Sequence, residues 1–168
     1  MNDATKKICI NAMGVALFVV LTMCVQVPVF ENYYICLGYI VMALYCCMFG
    51  PISGSFVGCM GTVLYCLLTG GLNGMPGWVL GNLIIGIMLG LAFKLTNKIE
   101  SKLIKYIIIF ATVIVSTAIG ILIVKSFVEV VLYVHPFWIR ISKNLPAFIA
   151  DVVILIIGIP ACTGLVPI

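Results

Sequence analysis

Between Lys7 and Lys94 the sequence carries a single charged residue, Glu31. A stretch of that length has too little charge to cover a soluble core. Its apolar runs of about 18 or more residues are long enough to cross a bilayer as helices. The composition agrees, since 64% hydrophobic and 8% charged residues mark an integral membrane protein rather than a soluble domain. At about 20 residues per span, the 168 residues hold six spans joined by very short connections. The expected fold class is an all-α integral membrane protein, a compact bundle of six transmembrane helices forming a single transmembrane domain over 1–168. Its spans are expected near 8–25, 36–49, 52–69, 77–93, 106–124 and 146–165. No hydrophilic stretch is long enough to form a soluble domain, so a nucleotide-hydrolysing engine, if the function requires one, belongs to another chain.

The lysines set the expected orientation. Lys6 and Lys7 precede the first span, and Lys94, Lys98, Lys102 and Lys105 share one short hydrophilic break with Glu100. The positive-inside rule places both groups in the cytoplasm. Four spans lie between them, which is consistent, and six spans return the C-terminus to the same side. The net charge of +4 is explained by this topology, and no basic nucleic-acid surface is expected. Lys6 and Lys7 before an apolar run have a secretion-signal look, but no small-residue cleavage site precedes Gln26, so the segment reads as a retained first helix. The eight cysteines include no C-x-x-C pair and lie mostly in apolar runs, where cysteine acts as a small hydrophobe.

Small residues recur at helical spacing. Ala12 and Ala16 put a flat strip on the first span, suited to close helix packing either within the bundle or against a partner helix. Gly54 and Gly58, Gly77 and Gly81, and Gly86 and Gly90 repeat the spacing. Gly50-Pro51 and the run from Gly70 to Gly77 are turns by their chemistry. The segment 26–35, with Pro28, Glu31, Asn32, Tyr33 and Tyr34, reads as a loop of interfacial anchors or a flap over a ligand. Trp78 and Asn82 are four apart and share one face of the fourth span, where Asn82 is the one expected amide.

The remaining charges gather between Lys125 and Asp151. Lys125, Glu129, His135, Arg140, Lys143 and Asp151 fall within an otherwise apolar region, and a charge at mid-bilayer costs roughly 2.5–3.5 kcal/mol on insertion scales. Lys125 and Glu129, four apart, form an ion pair or face a ligand. Arg140 offers a planar fork and Asn144 both a donor and an acceptor; lipid headgroups or water are the competing partners. With Pro146 at a first helical turn, Asp151 lies about 7–8 Å into the last span and faces the bundle interior. His135, beside Tyr133, Phe137 and Trp138, is an interfacial anchor rather than a metal ligand. No second histidine, G-x-S-x-G elbow or Walker loop is present, so a membrane enzyme is disfavoured.

Across nearly its whole length the chain resembles the substrate-binding S component of energy-coupling factor (ECF) vitamin transporters. The likeness rests on six short spans, Ala12-x-x-x-Ala16, a flap-like first outer loop, Phe49-Gly-Pro51 before a glycine-rich third span, and Arg140-x-x-Lys143-Asn144 leading into the last span. The resemblance implies a multi-pass plasma-membrane protein that captures a vitamin or precursor at its outer face. It also implies docking through Ala12 and Ala16 onto a transmembrane coupling subunit driven by two cytosolic ATPase subunits. ATP is then hydrolysed by the partners, and no cofactor or metal belongs to this chain. A fainter likeness is to members proposed to import queuosine precursors. The expected substrate-binding residues are Tyr33, Trp78, Asn82, Lys125, Glu129, Tyr133, Arg140, Asn144 and Asp151. Together they favour a planar, polar heterocycle such as a deazapurine, pterin or flavin. The competing readings are a small membrane scaffold or assembly subunit and, less favoured, an intramembrane enzyme.

Overall fold

A computed structural model describes residues 3–24, 28–30, 33–34, 36–134 and 136–165, with the backbone alone at 3–4, 28–30, 33–34 and 161–165. The described residues are helical apart from one short hairpin and the connections between helices. Helix α1 (Asp3–Cys24) leads into β1 (Pro28–Phe30) and β2 (Tyr33–Tyr34), an antiparallel pair. Then follow α2 (Gly38–Phe49), α3 (Pro51–Thr69), α4 (Met75–Thr96) and α5 (Lys102–Thr117). A π-helical segment (Ala118–Lys125) continues α5 directly into α6 (Ser126–Tyr133), and α7 (Phe137–Leu165) closes the chain. Among the described residues, five helical stretches are long and apolar enough to cross a membrane: Thr5–Cys24, Pro51–Thr69, Met75–Thr96, Lys102–Tyr133 and Phe137–Pro160. The sixth, Gly38–Phe49, is apolar but shorter.

Two helix boundaries differ from expectation. The fifth helix does not end near residue 124 but runs 32 residues to Tyr133. Lys125 and Glu129 are buried in it rather than set beyond it, because α7 supplies polar partners at their level. The last helix begins at Phe137, so Pro146 sits inside α7 and not at its first turn. A proline there removes one backbone donor and disturbs one turn. The residues ahead of it stay helical because Asn144 and Arg140 are anchored on α6, and Ser142 donates back to the Trp138 carbonyl.

Close helix contacts account for most of the glycines. Gly54 and Gly58 of α3 lie against Cys46 and Met42 of α2, and Gly86 and Gly90 of α4 lie against Ser55 and Pro51 of α3. These registers make α2 and α4 antiparallel to α3. At Gly50 the backbone adopts φ +87°, which a side chain would strain, and Pro51 then opens α3 at a position where its missing N–H costs nothing. Phe18, Tyr39, Met42, Ile85, Leu89 and Leu155 fill the centre. The faces carrying Ile52, Leu68, Leu95, Val131 and Ile157 remain exposed, as lipid-facing surfaces do. The bundle therefore has two ends. One holds Lys6, Lys7, the Gly50 turn and the basic break, and the other holds the hairpin and the α3–α4 and α6–α7 connections.

Candidate functional site

In the half of the bundle toward the hairpin, two polar clusters replace the apolar core. The first joins α2, α3 and α4. Trp78 donates from Nε1 to the Tyr39 hydroxyl at 2.9 Å, and Tyr39 donates to Asn82 Oδ1 at 2.7 Å. Asn82 Nδ2 in turn donates to Thr62 Oγ1 at 2.6 Å and to the Gly58 carbonyl at 3.4 Å. The Thr62 hydroxyl is itself spent on the Gly58 carbonyl at 2.8 Å. Tyr65 stands edge-on to Trp78, with ring centroids 5.7 Å apart, and adds an aromatic wall.

The second cluster joins the π segment, α6 and α7. Asn144, fully buried, donates from Nδ2 to Ser126 Oγ at 2.9 Å and to Glu129 Oε2 at 3.2 Å. Arg140 Nη1 lies 3.8 Å from the same carboxylate oxygen. Lys125, Glu129 and Asp151 are 7%, 4% and 5% exposed, a depth at which charge persists only when it is compensated. Lys125 is within electrostatic reach of Glu129, Arg140 and Asp151. Asp151 connects the clusters, because its carboxylate also lies within hydrogen-bonding reach of the Tyr39 hydroxyl. Buried Lys125, Glu129 and Asp151 and half-buried Arg140 thus form a cluster of two cations and two carboxylates whose formal charges balance.

Backbone proximity places Lys125. A Cβ on Gly81 would lie 2.7 Å from the Gly120 carbonyl oxygen, and one on Gly77 would lie 3.0 Å from the Lys125 carbonyl oxygen. The π segment runs against α4 at this contact without intervening side chains. π-Helical turns inside longer helices are frequent at functional sites.

The expected residues divide by location. Trp78 and Asn82 meet in the first cluster, and Lys125, Glu129, Arg140, Asn144 and Asp151 gather in the second. Glu129 forms an ion pair with Arg140 of α7 and lies within electrostatic reach of Lys125 on its own helix. Tyr133 donates instead to the Asn73 carbonyl and ties α6 to the α3–α4 connection. Tyr33 lies in β2, but its side chain, like Glu31, Asn32 and His135, is outside the described residues. Tyr39, Thr62, Tyr65 and Ser126 were not anticipated. Ser126, three residues before Glu129, carried a spacing signal; Tyr39 carried none, since a tyrosine in an apolar run reads as a core aromatic. Ala12 and Ala16 lie on the exposed side of α1 with Met13, Leu17 and Val20, while Val15, Phe18 and Val19 face the core. The alanine strip is therefore not used for packing within the chain. No cluster of metal-ligating side chains occurs among the described residues.

Residues 2–166 match the model of the family described as "ECF-type riboflavin transporter, S component". The chain belongs to this family. It is 38% identical over 93 residues to a UPF0397 protein of Streptococcus thermophilus (55% of this chain, 51% of that protein). It is 34% identical over 96 residues to a UPF0397 protein of Lactococcus lactis subsp. cremoris (55% and 51%). A UPF0397 protein of Streptococcus agalactiae is 32% identical over 142 residues, covering 81% of this chain and 76% of the relative. The chain spans about half the length of the first two of these relatives. No solved structure matches it. An S component is a membrane transport subunit and not an enzyme, in keeping with the apolar spans.

Proposed function

We propose that the protein is the substrate-binding subunit of an ECF-type ABC importer, capturing a vitamin or related heterocyclic precursor. The observation that carries this reading is the charge-balanced polar cluster buried at one end of an otherwise apolar bundle. Burying three charged residues beside a half-buried arginine is a large cost with no structural need, since apolar residues of similar volume commonly stabilise a core at least as well. Intramembrane charges of this kind mark ligand or ion pathways. The family description adds the transport role. The ligand is planar and polar, stacked near Trp78 and hydrogen-bonded by Lys125, Asp151 and their neighbours. A flavin, named by the family description, and a queuosine precursor both satisfy that outline.

In this proposal the lysine-marked end, with both termini, faces the cytoplasm and the polar clusters face outward. Ala12 and Ala16 dock against a transmembrane coupling subunit, and two cytosolic ATPase subunits supply the energy. The scaffold alternative loses its main support, because the glycine faces assigned to partner contact pack within the chain itself. Mass spectrometry of the small molecule that copurifies with the protein is the direct test. A stoichiometric heterocycle is the expected result, and a ligand-free protein that binds no heterocycle by calorimetry overturns the reading.

A further inference from the structure

We propose that the corner between α4 and α5 binds an anionic phospholipid, with Lys94, Lys98, Lys102 and Lys105 holding the headgroup phosphate. The site is independent of substrate capture and needs only the bundle's place in a membrane.

Lys94 lies in the last turn of α4, Lys98 in the short connection, and Lys102 and Lys105 in the opening turn of α5. The first three are exposed and Lys105 is half-buried. Glu100 is the one acid in the break, so four lysines against one glutamate leave the corner a net charge of +3. Among the described residues, none of the four lysines forms an ion pair. Lys94 is favourably placed at a helix C-terminus, but Lys102 and Lys105 stand at the positive end of the α5 dipole. They are also three apart on one face, where like charges repel. No acidic residue offsets them in that turn, and Ser101 makes no side-chain cap. Helix stability therefore does not explain these two lysines. Chain orientation explains lysines on this side of the bilayer but not their concentration on one hairpin.

The neighbouring side chains decide which anion suits the corner. Leu95, Leu103 and Ile104 are interspersed with the lysines and exposed. They continue the exposed faces of Leu91 on α4 and Ile107 on α5, which lie against acyl chains in a membrane. A soluble anion would satisfy the lysines and leave those leucines uncovered. A phospholipid serves both, with acyl chains on the leucines and phosphate at the ammonium groups, whose alkyl stems run along the apolar surface. Lysine clusters beside a transmembrane helix attract anionic headgroups, at about fivefold in affinity per lysine. For a net charge of +3, the preference for an anionic over a zwitterionic headgroup comes to about 100-fold.

The test titrates the purified full-length protein in detergent with dioleoylphosphatidylglycerol or dioleoylphosphatidylcholine, which share acyl chains and differ in headgroup charge. Binding is read as a rise in the thermal unfolding midpoint. A given rise should need about 100-fold less phosphatidylglycerol, and added sodium chloride should narrow the difference. Lys98→Gln with Lys102→Gln leaves a net charge of +1 and should cut the preference to about fivefold. Lys6→Gln with Lys7→Gln removes the same charge from α1, which among the described residues packs on α2 and α3 and not on α4 or α5. That variant should keep the full preference. Equal titration of the wild-type protein by the two lipids, or an equal loss in both double variants, overturns the inference. So does displacement of phosphatidylglycerol by inorganic phosphate at matched ionic strength, which would mark a free-anion site. Loss of copurifying coupling and ATPase subunits from the α4–α5 variant, at an unchanged lipid preference, would assign the corner to an acidic protein surface and overturn it as well.

Discussion

Asn82 spends its whole amide on the protein, linking α2, α3 and α4 through Tyr39, Thr62 and Gly58. Its replacement by leucine removes the amide that accepts from Tyr39 and donates to Thr62 and the Gly58 carbonyl. Asn82→Leu should lower stability by about 1–3 kcal/mol, measured as a fall in the thermal unfolding midpoint in detergent; an unchanged midpoint would mean that the network is not formed. Glu129 calls for a different argument, because what matters there is the charge left behind. Arg140→Ala removes the cation from a buried carboxylate and should cost about 1–3 kcal/mol. Adding Glu129→Gln should recover part of that loss, since the neutral amide no longer needs a counter-charge, and a double-mutant cycle measures the coupling. The residues of this site were unevenly legible. Lys125, Glu129, Arg140 and Asp151 stand out because charge in hydrocarbon is expensive wherever it falls. Tyr39 is silent because its ring suits the core as well as its hydroxyl suits the network, and Thr62 because a threonine that bonds its own helix costs nothing in an apolar run.

The contact between α4 and the π segment is made backbone to backbone at Gly81 and Gly120, so a methyl group there has no side chain to displace. Gly81→Ala should push the helices apart and cost about 1–3 kcal/mol as an overpacked site. Gly74→Ala, where an added Cβ meets nothing within 4 Å, should stay within about 0.5 kcal/mol as a surface change. Parallel thermal melts separate the two, and equal behaviour would remove the close contact as the source of helix placement. The glycine spacings were readable from sequence because small residues four apart leave one flat helix face. Their partners were not readable: the same pattern serves contacts inside the chain at Gly54 and Gly90, and an exposed strip at Ala12 and Ala16. The π segment was hidden because periodicity vanishes in a run as uniformly apolar as Ala118–Val124. The start of α7 was misplaced because Pro146 is an ordinary helix opener, and only the tertiary bonds of Arg140 and Asn144 keep the helix intact ahead of it.

At the scale of the whole molecule the two ends separate two tasks. The hairpin end gathers the buried polar groups, and α1 carries the exposed alanine strip along its lysine-marked half. If substrate capture and partner docking are divided in this way, substitutions at the two ends should have separable effects. Ala12→Leu with Ala16→Leu places bulky side chains on a face that no helix of this chain covers. The folded protein should tolerate them, with a thermal midpoint and a ligand affinity close to those of the unsubstituted chain, because leucine is at home against lipid. Uptake by cells that supply the coupling and ATPase subunits should instead fall to background, since a flat strip permits the close backbone approach that leucine forbids. Asp151→Asn should give the reverse pattern, with the coupling subunit still copurifying and ligand affinity lost. Co-purification, calorimetry and uptake measured on the same two variants decide the matter: should the alanine double variant transport normally, the strip is a lipid-facing surface and docking must be sought on another helix.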